Sequence, residues 1–296
     1  MYFWRGYYFG KEGIWCRDFN KEEAFCVLKD SLYKDYMVRA VADNGKTIAV
    51  SRSIDTNEPL LMVDVDKKTI TNTIYNHTFI YPCLDREGSK VFSVTKSDIY
   101  KNIYGNPFCV DAETGKVIAT LDEKTQWGNT AYHPASNSVY FSAFRQPNLY
   151  KFNFDTLMFS AIPTDKKIRI SDCKVACDNK GYYYLGSNIL VYMNNEDEEV
   201  WRINFKEKEK LSGKTLFSIC LSDNPDYIAV YLLDGNWLFI VNRNDFSQKK
   251  YKLGRVGFSE FFNNSLLFIY KNDNFSTLNL ETLEEKPFLP TTGASL

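Results

Sequence analysis

Short polar turns alternate with short β-branched or aromatic runs along this chain, and the alternation has a long-range period. DNGKTIAVS (43–51), REGSKVFSV (86–94), HPASNSVYFS (133–142), DNKGYYYLG (178–186) and DNPDYIAVY (223–231) are the clean copies. FNNSLLFIY (262–270) is a weaker copy, and GYYFG (6–10) opens the chain as a degenerate one. With Gly6, Thr47, Lys90, Ser138, Gly181, Tyr227 and Ser265 as the landmarks, the spacing averages about 43 residues, the length of one small sheet in a radial array.

A second landmark follows in most units. LLMVDVDKKT (60–69), FCVDAETGKV (108–117), LYKFNFDTLM (149–158), LFIVNRNDFS (238–247) and STLNLETLEE (276–285) alternate with period two and end in acidic or amide reversals. Alternation argues strands with one face toward a neighbour, and Asp, Asn and Gly at the reversal suit a tight hairpin. A further short strand follows, as in TITNTI (69–74) and VIATL (117–121). No stretch sustains a 3.6-residue apolar period, so helices are expected to be scarce. The expected fold is all-β: a seven-bladed β-propeller of four-stranded antiparallel blades, one domain over 1–296. Six or eight blades stay open, because the first and fifth units are irregular. Two closures of the ring are compatible with the sequence. Tyr2 to Trp4 form a strand of their own, or Thr291 to Leu296 joins the first blade; the second is preferred, because interlocked termini offset the entropy of an open ring.

The order of polar turn, apolar run, loop, strand ending in D-x-x-T-x-K, and strand resembles the YVTN-type and WD-repeat-like propellers. DAETGKVIATL (111–121) is the nearest match to the first of these, and His133-Pro134 is similar to a turn in such repeats. The Trp-Asp and Gly-His pairs of WD repeats are absent. What the resemblance implies is architecture, and propellers host scaffolds and enzymes alike.

Composition narrows the classes. The chain is 44% hydrophobic and 16% aromatic, and its 22 Phe and 20 Tyr suit the widening gaps between stacked sheets. Lys and Arg number 36 against 37 Asp and Glu, a net charge of −1, so there is no general drive toward nucleic acid or an anionic membrane. MYFWRGYYFG is interrupted by Arg5 and followed by Lys11 and Glu12, which reads as neither a secretory signal nor a membrane span. Seven scattered Cys suggest reduced, buried thiols in a cytoplasmic protein. Cys173 and Cys177 form C-x3-C without a second pair, and only His77 and His133 accompany them, so neither a metal nor a cofactor is expected.

Candidate chemistry is sparse. LPTTG (289–293) spells a sortase signal but only Ala294, Ser295 and Leu296 follow it, which favours coincidence. His77 and His133 lie in no recognisable catalytic motif, and G-x-S-x-G, the P-loop and G-x-G-x-x-G are missing. KEKEK (206–210) reads as a solvated connection and NNEDEE (194–199) as an acidic hairpin. The loops joining second to third strands and blade to blade are expected to share one face. On it fall Arg52 to Asn57, Lys96 to Pro107, Gln126 to Trp127, Arg145 to Asn148 and Asp234 to Trp237. Arg52, Tyr100, Tyr104, Trp127, Arg145 and Trp237 are the candidate binding residues, since exposed Tyr, Trp and Arg anchor interfaces; the competing reading is that these rings lid the blades. The expected function is a non-catalytic scaffold for a protein partner. A hydrolase or lyase with Asp55, Asp98 and Asp234 converging on the central channel is the alternative, and capture of a small ligand or glycan by Tyr and Trp is a third. Oligomeric state is not legible.

Overall fold

A computed structural model describes residues 2–8, 11–17, 24–29, 33, 36–52, 58–75, 77–94, 105–123, 125, 127–143, 146–205, 218–232, 237–252, 256–261, 266–271 and 274–287. Among them the regular elements with defined bounds are all strands, arranged as antiparallel sheets with neighbours in chain order. The first sheet has three: β1 (Tyr2–Tyr8), β2 (Lys11–Arg17) and β3 (Ala24–Leu28). The others have four. They are β4 (Met37–Val41) to β7 (Thr69–Ile74) by way of β5 (Thr47–Ser51) and β6 (Leu60–Asp64), then β8 (Ile80–Leu84), β9 (Lys90–Val94), β10 (Pro107–Asp111) and β11 (Val117–Thr120). Next come β12 (Trp127–His133), β13 (Ser138–Ala143), β14 (Leu149–Asn153) and β15 (Met158–Ile162), followed by β16 (Ile170–Val175), β17 (Gly181–Gly186), β18 (Ile189–Asn194) and β19 (Glu199–Asn204). The last are β20 (Ser218–Asp223), β21 (Tyr227–Leu232), β22 (Trp237–Asn242) and β23 (Gln248–Lys252), and β24 (Val256–Phe261), β25 (Leu266–Lys271), β26 (Asn274–Asn279) and β27 (Glu285–Pro287). These sheets are consistent with blades.

Five landmarks coincide with structure. Thr47, Lys90, Ser138, Gly181 and Tyr227 are the first residues of β5, β9, β13, β17 and β21, the second strand of their sheets. The first unit differs: Gly6 lies inside β1, paired with Gly13, instead of opening the following strand. The aromatic run Tyr2–Tyr8 is thus a strand of its own, longer than Tyr2 to Trp4. Ser265 and the C-terminal Thr291 to Leu296 lie outside the described residues.

The hairpins explain why the repeat is legible. The third strand of six sheets ends in Asp64, Asp111, Asn153, Asn194, Asn242 or Asn279, and each side-chain oxygen accepts backbone N–H groups of its own turn. This is the Asx device, in which a short polar side chain substitutes for a backbone partner. Each of these hairpins then needs one residue of positive φ: Lys68, Gly115, Leu157, Asp197, Phe246 and Leu283, at 56–68°. Only one of the six is glycine.

The chain divides into two compact units, Met1–Val139 with Lys151–Ser160, and Tyr140–Tyr150 with Ala161–Ser295, so the boundary passes through the β12–β15 sheet. In the first unit, β4 lies beside β8 and β8 beside β12, and in the second, β16 beside β20 and β20 beside β24. These first strands share an irregularity. Opposite a single residue of the second strand, β4 carries the extra residue Arg39, β8 Tyr81 and Pro82, β16 Ser171, β20 Ile219 and β24 Gly257, each within the first three residues of its strand. The first unit's core includes Ala49, Leu60, Met62, Phe79, Val91, Phe108 and Val110, with Phe92 and Phe152 stacked at 5.3 Å. The second unit's core includes Tyr183, Leu185, Leu190, Phe205, Val230 and Phe239, and Tyr140 stacks on Tyr182 at 4.0 Å between ring centroids. Among the described residues most aromatic side chains are therefore buried packing. Among the described residues no helix is long and apolar enough to cross a membrane.

Candidate functional site

Antiparallel order gives each sheet two unlike ends. One holds the tight turns between first and second strands and between third and fourth. The other holds the connections from second to third strand and from each sheet to the next, where the candidate residues were expected. Tyr100, Tyr104, Arg145, Asp55, Asp98 and Asp234 lie outside the described residues, so both the tyrosine pair and the acid cluster fall there. Arg52, Trp127 and Trp237 are described and behave differently from one another.

Trp127 is a correction to the expected loop placement. It begins β12, is only 5% exposed, and its indole Nε1 donates to the carbonyl of Gly105 at 2.7 Å. A ring of this size gains more from burial than from display, and its N–H requires a partner once buried. Trp237 begins β22 and is half-buried against the core. The ammonium groups of Lys250 and Lys252 lie 4.6 and 5.5 Å from its ring centroid.

Arg52 sits at the corner that is built most fully. It follows β5 and is exposed, with its guanidinium carbon 5.3 Å from the ring centroid of the buried Tyr36. Tyr36 is braced edge-on by Tyr33 at 5.5 Å, and its N–H donates to the Tyr33 carbonyl. The bulged Arg39 adds a second guanidinium: Nε donates to Ser51 Oγ at 3.0 Å and Nη2 to the Arg52 carbonyl at 3.1 Å. Among the described residues nothing accepts a hydrogen bond from the Arg52 guanidinium or forms an ion pair with it. Two cations at one corner, one held by the protein's own oxygens and one resting on an aromatic face, suit an anion. Sequence reasoning found Arg52 and missed Arg39, Tyr36 and Ser51. The available signal was a charged residue inside the otherwise apolar strand MVRAV.

The turn end holds the second polar cluster, in the second unit. Arg243 Nη2 pairs with Asp178 at 3.1 Å, and Nη1 lies 3.5 Å from Cys177 Sγ and 3.9 Å from the buried Asp223. Asp223 Oδ2 accepts the Cys177 N–H at 2.8 Å, while its Oδ1 and the Tyr183 hydroxyl are buried without a hydrogen-bond partner among the described residues. Burial raises the Asp223 carboxyl above the usual range. The residue after the hairpin cap is apolar and buried at Val65, Ala112, Phe154 and Leu280, whereas the β18–β19 hairpin has exposed Asn195 there and the β22–β23 hairpin has Arg243. Burial and then the Asp223 charge push the Cys177 thiol up to about 11, which leaves it protonated at neutral pH and a poor nucleophile.

The described contacts of both histidines are structural. Buried His133 accepts the Ser136 N–H at Nδ1, 3.2 Å away, with Ser136 Oγ at 3.1 Å. A backbone N–H only donates, so Nδ1 acts as the acceptor that closes the His133–Asn137 turn. His77 Nε2 lies 3.2 Å from the Gly115 carbonyl, and its ring packs on Phe79 and Phe108. Cys173, the other half of C-x3-C, is buried with Sγ on the Tyr140 carbonyl, and no group of three metal-ligating side chains occurs among the described residues. Asn194 to Glu199 form the β18–β19 hairpin and the start of β19. LPTTG and KEKEK lie outside the described residues. No protein-family model matches this chain, and no curated protein is significantly similar to it in sequence.

Proposed function

We propose that the chain is a seven-bladed β-propeller of the YVTN-type or WD-repeat-like kind, acting in the cytoplasm as a non-catalytic scaffold that offers the connection end of its sheets to a protein partner. The contrast between the two ends carries this reading. At the turn end many polar side chains pair within the protein, although Asp223 Oδ1 and the Tyr183 hydroxyl do not: Asn44 reaches Glu87, Arg86 the Pro134 carbonyl, Asn137 Asp155, and Arg243 Asp178. At the connection end, Arg52 is displayed on Tyr36 with its donors unspent. Loops fixed by sheets lose little ordering entropy on binding, which favours rigid display. The hydrolase or lyase alternative finds less support, since the described Ser–His contact closes a turn and the accessible thiol is protonated.

The test is reconstitution with a partner purified after affinity capture, followed by hydroxyl-radical footprinting of the complex. Protection is expected at Arg52 and Glu58, with none across the hairpins 64–68 and 111–115 of the same unit. Protection confined to the turns overturns the scaffold reading, as does turnover of an ester, phosphoester or glycoside panel by the free protein. A ring of six or eight blades in experimental density overturns the blade count alone.

A further inference from the structure

We infer that the corner formed by Arg39, Ser51, Arg52 and Tyr36 is a carboxylate-recognition site whose occupant is an acidic segment of a protein partner. The inference rests on the scaffold reading and names what the partner brings to that end of the first unit.

Three observations converge on it. The first is the bulge in β4, which sets Arg39 outside the pairing of Val38 with Val50 and Ala40 with Ala49. Bulges re-aim a side chain without changing the register on either side. The second is how Arg39 is held. Its Nε and Nη2 are committed to Ser51 Oγ and the Arg52 carbonyl, so its guanidinium is held at the root of Arg52. The third is Arg52 itself, exposed, resting on the Tyr36 ring, and with no acceptor among the described residues.

The geometry selects among anions. One open guanidinium presents a planar fork of parallel N–H groups, which matches the two oxygens of a carboxylate. A phosphate dianion has more acceptors and more charge than one fork satisfies, and the two Arg39 donors that would have helped are spent on the protein. The face of Tyr36 holds the Arg52 plane and limits the entropy lost when the fork closes. Exposed Met37 (41%), paired with Ser51 across β4 and β5, supplies an apolar neighbour for the residue beside the carboxylate.

The experiment uses the full chain and fluorescein-labelled decapeptides read by anisotropy. One peptide is rich in Glu and Leu with an amidated C-terminus, one replaces Glu by Gln, one carries phosphoserine in place of Glu, and one is neutral with a free C-terminal carboxylate. The Glu peptide is expected to bind and the Gln peptide to fail, with affinity falling as salt rises. Arg52→Ala should weaken the Glu peptide by about tenfold, a loss typical of one charge-assisted bidentate contact. Arg52→Lys should recover only part of it, while both variants melt with the wild type. Binding of the free-carboxylate peptide at the same strength would identify a chain terminus as the source, still within the carboxylate class. The proposal falls if Glu and Gln peptides bind alike, if no acidic peptide binds, or if Arg52→Ala binds as the wild type does. It also falls if the phosphoserine peptide binds far more tightly, which marks a phosphate site. A partner that footprints to the connection end yet ignores Arg52→Ala removes the carboxylate site and leaves the scaffold standing. Acidic peptides that need Arg52, with turnover in the substrate panel, do the reverse.

Discussion

The two ends of the sheets are made of the same residue types put to opposite uses. At the turn end, polar side chains face inward on their own backbone: Asn153 Oδ1 alone accepts from Asp155 N, Thr156 N and Thr156 Oγ1, and its Nδ2 donates to Ser136 O and Ser138 Oγ. At the connection end, the Arg52 guanidinium faces outward on an aromatic ring and donates to nothing among the described residues. A polar group whose hydrogen bonds are all met by its own turn has little left to offer a ligand, whereas one held by its apolar face keeps its donors. Abundance of Asn and Asp therefore marks construction in this chain, and the sparser cations on aromatic rings mark display.

The sharpest way to break that contrast is to crowd the turn end. A Cβ on Gly181, the first residue of β17, would sit 2.1 Å from the Met193 carbonyl, a backbone atom that cannot swing aside. Gly181→Ala is expected to cost about 2–3 kcal/mol in urea unfolding, while Arg52→Ala stays within about 0.5 kcal/mol of the wild type. Equal effects would erase the distinction between the ends. Asn153→Ala removes a whole cap and should cost about 1–2 kcal/mol by the same assay.

The buried Asp223 makes the turn end pH-dependent in a particular direction. Its carboxyl is raised by burial, so its contribution favours the fold below the ordinary value of about 4 and is lost as pH rises through the raised value. Asp111 acts oppositely: the Thr114 N–H holds it low, so its contribution is present above about 4 and lost in acid. Asp223→Asn is expected to gain stability relative to the wild type as pH climbs from 4 toward 7, measured by denaturant midpoints. A constant difference across that range would show that the carboxyl does not titrate as its burial dictates. The smallest effect concerns the strained hairpin position: Leu283→Gly, at φ 58°, should raise stability by about 0.5–1 kcal/mol. A loss there would mean that the side chain's packing outweighs the backbone strain.

How much of this the sequence disclosed follows from the same contrast. DAETGKV was legible because Asp111, Thr114 and Gly115 do their work within a few residues of chain, as cap, donor and positive-φ turn. Second-strand starts were legible at Thr47, Lys90, Ser138, Gly181 and Tyr227 because a polar turn meets an apolar run there. GYYFG misled, since an aromatic strand with glycine inside it looks the same as a turn followed by a strand, and Gly6 belongs to β1. Trp127 misled because its neighbours Gln126, Gly128 and Asn129 have loop chemistry while its own ring is buried. The Arg52 corner was legible only in half. Arg39 stands out only as a charge within the apolar MVRAV, and the ring contact that brings Tyr36 to Arg52 leaves no trace in spacing.

The bulge shared by β4, β8, β16, β20 and β24 gives the repeat a position of licence. Every other residue of a first strand is bound by alternation to a face, and changing its character disturbs the packing of a neighbour. The residue at the bulge is released from that bond. Arg39, Ser171, Ile219 and Gly257 share no chemistry, yet the strands that carry them keep the same pairing on both sides. A substitution at such an address alters what a strand presents near the connection end and leaves its pairing on either side alone, so recognition can be changed there at little cost to form.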